Sequence, residues 1–483
     1  MTHVPLMRLL SRVRARPLGP ADVEVTGIAY RSDKVSGGEA FFCIPGFAHD
    51  GHDFAADAVV RGAAALVVER PLAGIDSPQF EVTDARVALA LGAASFFGEP
   101  SRSLDVVGIT GTNGKTTTTY LVDSILSAHG ATTGLIGTVE TRIAGTRHHS
   151  TRTTPESSDL QALLAEMVDA GVSAVAMEVS SHAIDLHRAD GVRFAVAAFT
   201  NLTQDHLDYH HTLEEYFGVK RRLFTDFEVG ARVVNVDDPL GERMAAEIPD
   251  CLTVGRSESA DVRAHSVHLS ATGATFVLAT PGGDVEVNLP LAGAFNVSNA
   301  LVAAGCALSL DVPLETIVAG LEQAPQVPGR LERVECGQPF SVVVDYSHTP
   351  DSLEKAIRAM RDVTAGRVVV VFGCGGDRDP DKRPLMGAAA GGNADLSIVT
   401  SDNPRSEDPV GIILQVEDGL KLVAAAYEVE VDRRSAIARA ISLAKPGDTI
   451  LIAGKGHEDY QIFADRTIHF DDREVAREVL GAC

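Results

Sequence analysis

A glycine-rich segment between a predicted strand and a predicted helix carries the clearest chemistry of this sequence. Its residues are, in order, Gly111, Thr112, Asn113, Gly114, Lys115, Thr116 and Thr117. Glycines at such a turn let backbone N–H groups approach phosphate oxygens, while the lysine and the amino end of the helix add positive charge. A hydroxyl directly after the lysine can hold Mg²⁺. The segment therefore predicts that the chain binds ATP together with Mg²⁺.

One position departs from the usual phosphate-loop pattern. The pattern requires glycine where this chain has Ile109, although Gly108 directly precedes it. The competing interpretation is an ordinary glycine-rich turn before a helix. A predicted strand at 106–110 and a predicted helix at 116–129 flank the segment, and this context favours the phosphate loop.

A carboxylate closes the next apolar strand, which is predicted at 174–179. Glu178 has apolar neighbours there, and a buried carboxylate is costly unless it is paired or bound to a metal. It is either a satisfied buried glutamate or a Mg²⁺ ligand near Thr116. Asp205 and His206, in the polar segment 201–208, are further candidates for that metal site.

A lysine lies on the apolar face of a predicted helix that starts at the capping box 212–215. The residues of that face are Leu213, Tyr216, Phe217, Lys220, Leu223 and Phe224. Arg221 and Arg222 point away from it. The pattern alone favours a lysine that extends its ammonium group to water.

Strands and helices alternate through most of the chain, and they must position these side chains. Such alternation predicts an α/β fold with mainly parallel sheets. Most polar, glycine-rich clusters follow the carboxyl end of a predicted strand, the edge at which open α/β sheets bind ligands. These clusters are 111–117, 180–182, Asn201, 347–348, 374–378, 402–405 and 454–458.

The chain of 483 residues is too long for one hydrophobic core. A linker-like segment at 97–101 and a proline-containing stretch at 325–329 divide it. We therefore predict three domains: an amino-terminal domain at 1–100, a central domain at 101–328 with the phosphate loop on a parallel sheet, and a Rossmann-like carboxyl-terminal domain at 329–483.

Composition excludes several classes of partner. The 42 Lys and Arg against 66 Asp and Glu give a net charge of −24, which argues against nucleic acid and anionic membranes. No apolar run approaches the roughly 20 residues of a membrane helix, and we see no signal peptide. Six scattered cysteines fit a reducing compartment. We expect a cytoplasmic monomer that acts on small molecules.

The segment Gly111–Thr117 resembles the phosphate loop of the Mur ligases, which build bacterial cell-wall precursors, and of the related folylpolyglutamate synthetases. Motifs similar to the Mur ligases follow in the expected order over nearly the whole chain. The resemblance implies that Lys115 contacts the ATP phosphates, and that Glu178 and His206 face Mg²⁺. It also implies that Lys220 reacts with CO₂ to form a carbamate that helps to hold the metal. That reaction needs a neutral amine, which burial favours.

Further residues are expected at the nucleotide because of the same resemblance. Asn296, Arg330 and Asp345 occupy the matching positions. For each of them, a role as a helix cap or turn residue is the alternative.

The first hundred residues are similar to the UDP-binding domain of the Mur ligases that add the third amino acid. The resemblance implies contacts to a UDP-sugar-dipeptide from Ser32, Thr153, Thr154, Ser180 and Arg188. The chain reads Arg-Ser-Asp at 31–33 where the family has Asp-Ser-Arg, and it has Leu186 where some relatives have Gln. No contact is expected from Leu186.

The resemblance implies that the carboxyl-terminal clusters select the incoming amine. Arg405 stands beside a turn made rigid by Pro404, and a held guanidinium suits bidentate binding of a carboxylate. The run 402–405 resembles the diaminopimelate-type signature, and meso-diaminopimelate has a second carboxylate where lysine has none. The residues implied for this substrate are Arg378, Asp402, Asn403, Pro404, Arg405, Gly454 and Glu458.

The resemblance implies the ATP-dependent addition of meso-diaminopimelate to UDP-MurNAc-L-Ala-D-Glu through an acyl phosphate, in peptidoglycan precursor synthesis. Addition of L-lysine or L-ornithine by the same ligase is one alternative, and a folylpolyglutamate synthetase-like ligase is another. A Mur-like scaffold that holds nucleotide without catalysis is a third. The complete set of Lys115, Glu178, His206 and Lys220 argues against that scaffold.

Overall fold

The computed structural model describes residues 3–47, 49–150, 152–205 and 207–481. The chain divides into two compact units. The first comprises residues 1–202, 206–254 and 302–313, and the second comprises 203–205, 255–301 and 314–483. His206, predicted at the metal, lies outside the described residues. The limits of the three predicted domains stay a prediction.

The amino-terminal part of the first unit contains a five-stranded sheet, a two-stranded antiparallel sheet and helices. Its strands are β1 (Val4–Pro5), β2 (Ala15–Pro17), β3 (Glu24–Val25), β4 (Gly27–Ala29), β5 (Glu39–Phe42), β6 (Ala65–Val68) and β7 (Gln79–Val82). Its helices are α1 (Leu6–Leu9), α2 (Ala55–Val60) and α3 (Ala85–Phe96), with 3₁₀ turns at Ser32–Lys34, Gly51–Phe54 and Pro100–Ser103. The sheet order is β2-β7-β6-β5-β4, with β4 to β7 parallel.

The rest of the first unit is a larger, mainly parallel sheet. Its strands are β8 (Asp105–Thr110), β9 (Thr133–Ile136), β10 (Glu140–Ile143), β11 (Thr146–His149), β12 (Ala174–Glu178), β13 (Phe194–Phe199), β14 (Val229–Asn235) and β15 (Cys251–Gly255). Its helices are α4 (Lys115–Ala128), α5 (Ser157–Asp169), α6 (Ser181–Asp185), α7 (Leu207–His210), α8 (Leu213–Thr225) and α9 (Pro239–Glu247). The order is β11-β10-β9-β12-β8-β13-β14-β15, and only the pairings of β10 are antiparallel.

The register of this sheet places the predicted chemistry at one edge. Glu178, the last residue of β12, pairs with Ile109 of β8, and Phe199 of β13 pairs with Thr110. Because the three strands are parallel and adjacent, the segments that follow them meet at the same edge. The phosphate loop is the middle one of these three segments.

The second unit contains a three-stranded antiparallel meander and a parallel sheet. Its strands are β16 (Val262–Ser270), β17 (Gly273–Thr280), β18 (Gly283–Leu289), β19 (Glu332–Arg333), β20 (Ser341–Asp345), β21 (Val368–Phe372), β22 (Leu396–Val399), β23 (Tyr427–Val429), β24 (Thr449–Ala453), β25 (Tyr460–Ile462) and β26 (Thr467–His469). The helices, of which α10 starts in this unit, are α10 (Ala294–Leu308), α11 (Leu314–Glu322), α12 (Pro350–Arg361), α13 (Lys382–Asn393), α14 (Pro409–Leu422), α15 (Arg433–Leu443) and α16 (Asp472–Val479).

The parallel sheet of the second unit has the order β19-β20-β24-β21-β22-β23, with β19 alone antiparallel. Alternate residues of β21 enter two apolar clusters: Val368, Val370 and Phe372 pack in one, and Val369 and Val371 pack in the other. A central strand buried on both faces is typical of such sheets. The predicted α/β class, with a central parallel sheet and a Rossmann-like carboxyl-terminal sheet, is confirmed.

The strands predicted at 106–110 and 174–179 agree with β8 and β12 to within one residue, and one predicted helix position does not agree. Leu213 was expected on the buried face of α8, but its side chain is 44% exposed because it occupies the first residue of the helix. Tyr216 and Phe217 are buried as expected. No helix in the described part of the chain has the length and apolar character that crossing a membrane requires.

Candidate active site

The phosphate loop is a tight turn that only glycine can form at two positions. Gly111 has φ +153° and Gly114 has φ +84°, and a Cβ on Gly111 would overlap the hydroxyl of Thr200. The Nζ atom of Lys115 donates hydrogen bonds to the carbonyl oxygens of Gly111 and Thr112, each at 2.8 Å. The lysine therefore folds over the loop and holds its charge where phosphate oxygens would lie.

The segment that follows β13 holds the phosphate loop from its side. Asn201 accepts from the backbone N–H of Asn113 through its side chain, at 3.0 Å, and from that of Thr112 through its carbonyl, at 2.8 Å. The hydroxyl of Thr200 donates to the carbonyl of Asn113 at 2.6 Å. The sequence did not single out Thr200, although its place directly after a strand was a signal that could have found it.

Lys220 is buried beside the same loop, with only 1% of the residue exposed. Its Nζ atom donates to the carbonyl oxygen of Gly111 at 2.9 Å and lies 4.5 Å from the centre of the Tyr216 ring. The pattern-based expectation that this ammonium group extends to water is wrong, because helix α8 turns it into the protein. Two lysines, Lys115 and Lys220, thus share one carbonyl oxygen.

Glu178 is a buried carboxylate that already has hydrogen-bond donors. It is 1% exposed, and its two oxygens accept from the backbone N–H and the hydroxyl of Thr138, at 2.7 and 3.1 Å. The Thr138 hydroxyl also lies 2.9 Å from that of Thr153. No pattern in the sequence marked Thr138, which follows β9 and reaches Glu178 because β9 and β12 are neighbours.

The residues present fit Mg²⁺ as a partly hydrated ion. Carboxylate and hydroxyl oxygens such as those of Glu178 and Thr116 are ligands that Mg²⁺ accepts, and it usually keeps water and substrate phosphates as further ligands. Among the described residues, no group of three His, Cys, Asp or Glu side chains could hold a metal alone. A site completed by ATP phosphates agrees with both observations.

Three predicted substrate residues form one hydrogen-bonded group with Glu178. The hydroxyl of Thr154 donates to the carbonyl of Glu178 at 2.9 Å and accepts from the N–H of Ser180 at 3.2 Å. The Ser180 side chain caps α6 by accepting from Ala183 at 3.1 Å. Thr153 joins the group through Thr138. Glu178 of the predicted metal site is therefore contiguous with Thr153, Thr154 and Ser180 of the predicted substrate site.

Arg188 belongs to a cluster that carries excess positive charge. Glu156, which is 4% exposed, lies within 3.4, 3.8 and 3.6 Å of Arg86, Arg152 and Arg188. Burial lowers the pKa of Arg188; Glu156 opposes this, and the guanidiniums of Arg152 and Arg86 add to it. The sequence predicted only Arg188. One carboxylate does not balance three guanidiniums, so the cluster suits an anionic ligand.

The unusual order Arg-Ser-Asp at 31–33 is internally paired. Arg31 and Asp33 form a two-bond ion pair at 3.0 and 2.7 Å on the surface. The hydroxyl of Ser32 donates a hydrogen bond to the carboxylate of Asp57, and together with Arg61 it lowers the pKa of Asp57. The two exchanged charges thus neutralise each other, which leaves Ser32 as the member of this run predicted to meet the nucleotide sugar.

In the second unit, hydrogen bonds join the loops that follow β21 and β22. Arg405 donates to the carbonyl of Gly376 at 2.7 Å, and the N–H of Gly376 donates to the carbonyl of Asn403 at 2.9 Å. Asp377 and Arg405 both have left-handed backbones, with φ +53° and +51°. Arg378 is exposed at the edge of this loop pair. The predicted guanidiniums are therefore carried by one rigid pair of loops.

The loop after β24 adds an acidic group to that pair. The amide nitrogen of Asn403 donates to Glu458 at 2.9 Å. Burial and the nearby carboxylate of Asp402 raise the pKa of Glu458, while Lys455, Asn403 and Arg405 oppose that shift. A carboxylate and a guanidinium thus stand close together, and they suit a ligand with both an ammonium and a carboxylate group.

The nucleotide residues predicted in the second unit fall in two places. Asp345 accepts from the N–H groups of Leu331 and Ser347, at 2.8 and 2.9 Å, and Arg330 lies over the ring of Tyr346 at 4.7 Å. Asn296 instead donates to the carbonyl of Ala292 at 2.8 Å, within the start of α10. Arg330 and Asp345 are therefore neighbours. A structural role also accounts for each contact.

A phosphate loop on one α/β sheet, and on another a loop cluster that holds a guanidinium near a carboxylate, are the parts of an ATP-dependent ligase. The chain belongs to the Mur ligase family. The model of the Mur ligase family catalytic domain matches residues 24–97, that of the Mur ligase middle domain matches 109–307, and that of the Mur ligase glutamate ligase domain matches 329–456.

Named relatives are similar over nearly the full length. The UDP-N-acetylmuramoyl-L-alanyl-D-glutamate–2,6-diaminopimelate ligase of Geobacillus kaustophilus strain HTA426 is 48% identical over 467 residues, 94% of each chain. That of Bacillus licheniformis is 45% identical over 485 residues, 98% of this chain and 99% of the relative. A solved structure of a ligase of the same name is 31% identical, with a TM-score of 0.73, and the match covers 100% of this chain and 99% of that one.

Proposed function

We propose that the protein adds meso-diaminopimelate to UDP-MurNAc-L-Ala-D-Glu at the expense of ATP, in the synthesis of peptidoglycan precursors. The observation that carries the proposal is the loop cluster in which Arg405 and Glu458 stand together. The names of relatives that are 45 and 48% identical over nearly the whole chain support it.

The loop cluster complements the far end of the proposed amine. That end of meso-diaminopimelate carries a carboxylate, for which Arg405 and Arg378 are suited, and an ammonium group, for which Glu458 is suited. L-Lysine has the ammonium group without the carboxylate. Because it would leave the guanidiniums without their partner, a site of this kind discriminates strongly against lysine.

The phosphate loop supports activation of the acceptor. The side-chain carboxylate of the D-glutamate residue attacks the γ-phosphorus of ATP, which gives an acyl phosphate and ADP. The amine then attacks the acyl carbon and phosphate leaves. Lys115 places positive charge at the phosphates during the first step. Thr116, Glu178, His206 and the carbamate of Lys220 would hold Mg²⁺, which would neutralise charge at the transferred group.

The cluster around Glu156 supports binding of the anionic acceptor. Arg188, with Arg86 and Arg152, offers more positive charge than one carboxylate balances. Thr153, Thr154 and Ser180 add hydroxyl groups close to Glu178. The UDP-sugar-dipeptide would therefore place its D-glutamate end near the phosphate loop.

The setting follows from the chemistry. We propose a cytoplasmic monomer, because ATP is the energy source and the cysteines of the described chain are free thiols. Sedimentation of the purified protein tests the monomer. The net charge of −24 supports the absence of nucleic-acid partners.

The decisive experiment is phosphate release with three amines in parallel. Purified protein receives ATP, Mg²⁺, UDP-MurNAc-L-Ala-D-Glu and either meso-diaminopimelate, L-lysine or L-ornithine. We expect release with meso-diaminopimelate to exceed the other two by at least about a hundredfold in kcat/KM. Absence of release with every amine would contradict the proposed reaction. A preference for lysine would contradict the role given to Arg405.

A further inference from the structure

Lys455 is a fully buried cation on the loop after β24, where it faces the loop after β22. Its side chain is 0% exposed. The Nζ atom donates to the side-chain oxygen of Asn403 at 3.0 Å and to the carbonyl of Tyr460 at 2.7 Å. The carboxylates of Asp402 and Glu458 lie 3.4 and 3.8 Å away. Neither the sequence motifs nor the proposed reaction gives this lysine a role.

The contact with Lys455 decides which way the Asn403 amide faces. An ammonium group can only donate, so the amide oxygen must point toward it. That oxygen also accepts from the N–H of Ile462 at 3.0 Å. The amide nitrogen then points the other way and donates to Glu458 at 2.9 Å. A reversed amide would place its N–H₂ group against two donors and its oxygen against a carboxylate.

Lys455 is itself held by a chain of alternating charges. Asp402 lies between Lys455 and Arg433, and these two cations keep its pKa low although burial raises it. Arg433 in turn donates to both oxygens of Asp472 at 2.7 Å, and both side chains are 0% exposed. Each charge in this series therefore lies next to an opposite charge. If Lys455 moved away, the buried carboxylate of Asp402 would lose one of its two cationic partners.

We propose that Lys455 is a positioning residue of the amine site, which orients the amide of Asn403 and through it the carboxylate of Glu458. This inference rests on the proposed function. Glu458 uses one oxygen for Asn403 and keeps further acceptor capacity for the ammonium group of the incoming amine. Lys455 acts through its neighbours and does not touch the reacting atoms.

The charges around Glu458 make the proposed role of Lys455 testable through the pH dependence of amine binding. From the loop after β22 it faces Asp402, Asn403 and Arg405, and on its own loop it faces Lys455. The other titratable groups near it are Tyr346, Tyr460 and Arg433. Burial and Asp402 raise the pKa of Glu458 and Lys455 opposes them. Loss of the lysine therefore raises this pKa further.

The first test is Lys455→Met, measured by phosphate release. We expect KM for meso-diaminopimelate to rise about thirtyfold or more, the effect of removing one partner from a buried charged contact. KM for ATP should change by less than about twofold. The acid limb of the pH profile of KM for the amine should move to higher pH. The control is Lys445→Met, an exposed lysine of the same unit, which should change none of these values.

The second test is a double-mutant cycle that combines Lys455→Met with Glu458→Gln. The double variant loses one positive and one negative charge, so it avoids the buried charge imbalance of Lys455→Met alone. If Lys455 acts through Glu458, adding Lys455→Met to Glu458→Gln raises KM for the amine by less than about twofold. A full second increase would overturn the inference, as would equal increases of KM for ATP and the amine in Lys455→Met. If Lys455→Met alone does not fold, the comparison of the double variant with Glu458→Gln tests the inference by itself.

Failure of the inference and failure of the proposed function give different results. A wild-type enzyme that releases no phosphate with any diamino acid contradicts the function. An active wild type together with a Lys455→Met variant of unchanged KM and unchanged pH profile contradicts the inference alone.

Discussion

Lys220 donates a hydrogen bond from Nζ to the carbonyl oxygen of Gly111, at 2.9 Å, and so joins helix α8 to the first glycine of the phosphate loop. Lys115 reaches the same oxygen at 2.8 Å. The Gly111 carbonyl thus brings both lysines to the same point of the phosphate loop. We propose that Lys220, buried at that point, is the residue that reacts with CO₂.

Activity should therefore depend on dissolved CO₂ through Lys220. Phosphate release in CO₂-depleted buffer should fall and should recover when bicarbonate is added. Lys220→Met should lower kcat about a hundredfold, the usual effect of losing one electrostatic group at a reacting centre. Its residual rate should not respond to bicarbonate. A wild-type rate that is equal in both buffers would argue against the carbamate.

Gly111→Ala should abolish turnover of ATP. The new methyl group would overlap the hydroxyl of Thr200 and approach the backbone of Asn201 to 3.0 Å, at a φ that L-residues rarely adopt. Distortion of the loop should remove detectable nucleotide binding in calorimetry. The matched control is Gly218→Ala in α8, where an added Cβ meets nothing within 4 Å. This control should bind ATP as the wild type does.

Arg405→Ala should weaken binding of the amine selectively. Loss of a charge-assisted hydrogen bond to the far carboxylate corresponds to an increase in KM for meso-diaminopimelate of about ten- to a hundredfold. KM for ATP should stay unchanged, and the preference over L-lysine should shrink. Arg439→Ala removes an exposed arginine paired with Glu428 and serves as the control. Equal increases in KM for meso-diaminopimelate and L-lysine would show that Arg405 does not bind the far carboxylate.

The affinity for the amine should fall at weakly acidic pH. Because the pKa of Glu458 is raised, mainly by burial, this group gains a proton at a higher pH than an ordinary glutamate. Once protonated, it no longer attracts the ammonium group of the substrate, so KM for the amine rises as pH falls. Glu458→Gln should have a high KM that does not respond to pH in this range. Steady-state measurements of KM for the amine in the wild type and in Glu458→Gln, from neutral to acidic pH, test this prediction.

Arg433→Met should destabilise the second unit strongly. Arg433 and Asp472 form a buried pair, and removing one partner leaves the other charge unpaired, which costs about 3–5 kcal/mol in free energy of unfolding. The double variant Arg433→Met/Asp472→Leu should recover most of that loss. The neighbouring pair Arg434–Glu478 is exposed, and Arg434→Met should cost less than about 1 kcal/mol. Urea unfolding compares the variants.

Most of the fold could be predicted because its signals are local. The run 368–372 is apolar throughout and forms a strand buried on both faces. Thr212 accepts from the N–H of Glu215 at 3.1 Å and starts α8 where the capping pattern placed it. The burial of Leu213 was predicted wrongly, since the periodicity of a helix does not show that its first turn ends at solvent.

The candidate site could be predicted only in part. Gly111, Lys115 and Glu178 stand out because their types are unusual beside strand ends. Thr138, Arg86 and Arg152 carry no such mark, since a threonine in a loop and an arginine on the surface are ordinary. Their roles arise from the partners they meet, which are distant in the sequence.

The sequence by itself determined the chemistry that is available: a phosphate loop, a lysine on an apolar helix face, and turn motifs after successive strands. Side-chain type and short-range periodicity suffice for that. Only the tertiary structure decided that Lys220 and Lys115 share one carbonyl oxygen, and that Lys455 orients Asn403 toward Glu458. These contacts depend on strand order and helix packing, which bring together groups far apart in the chain.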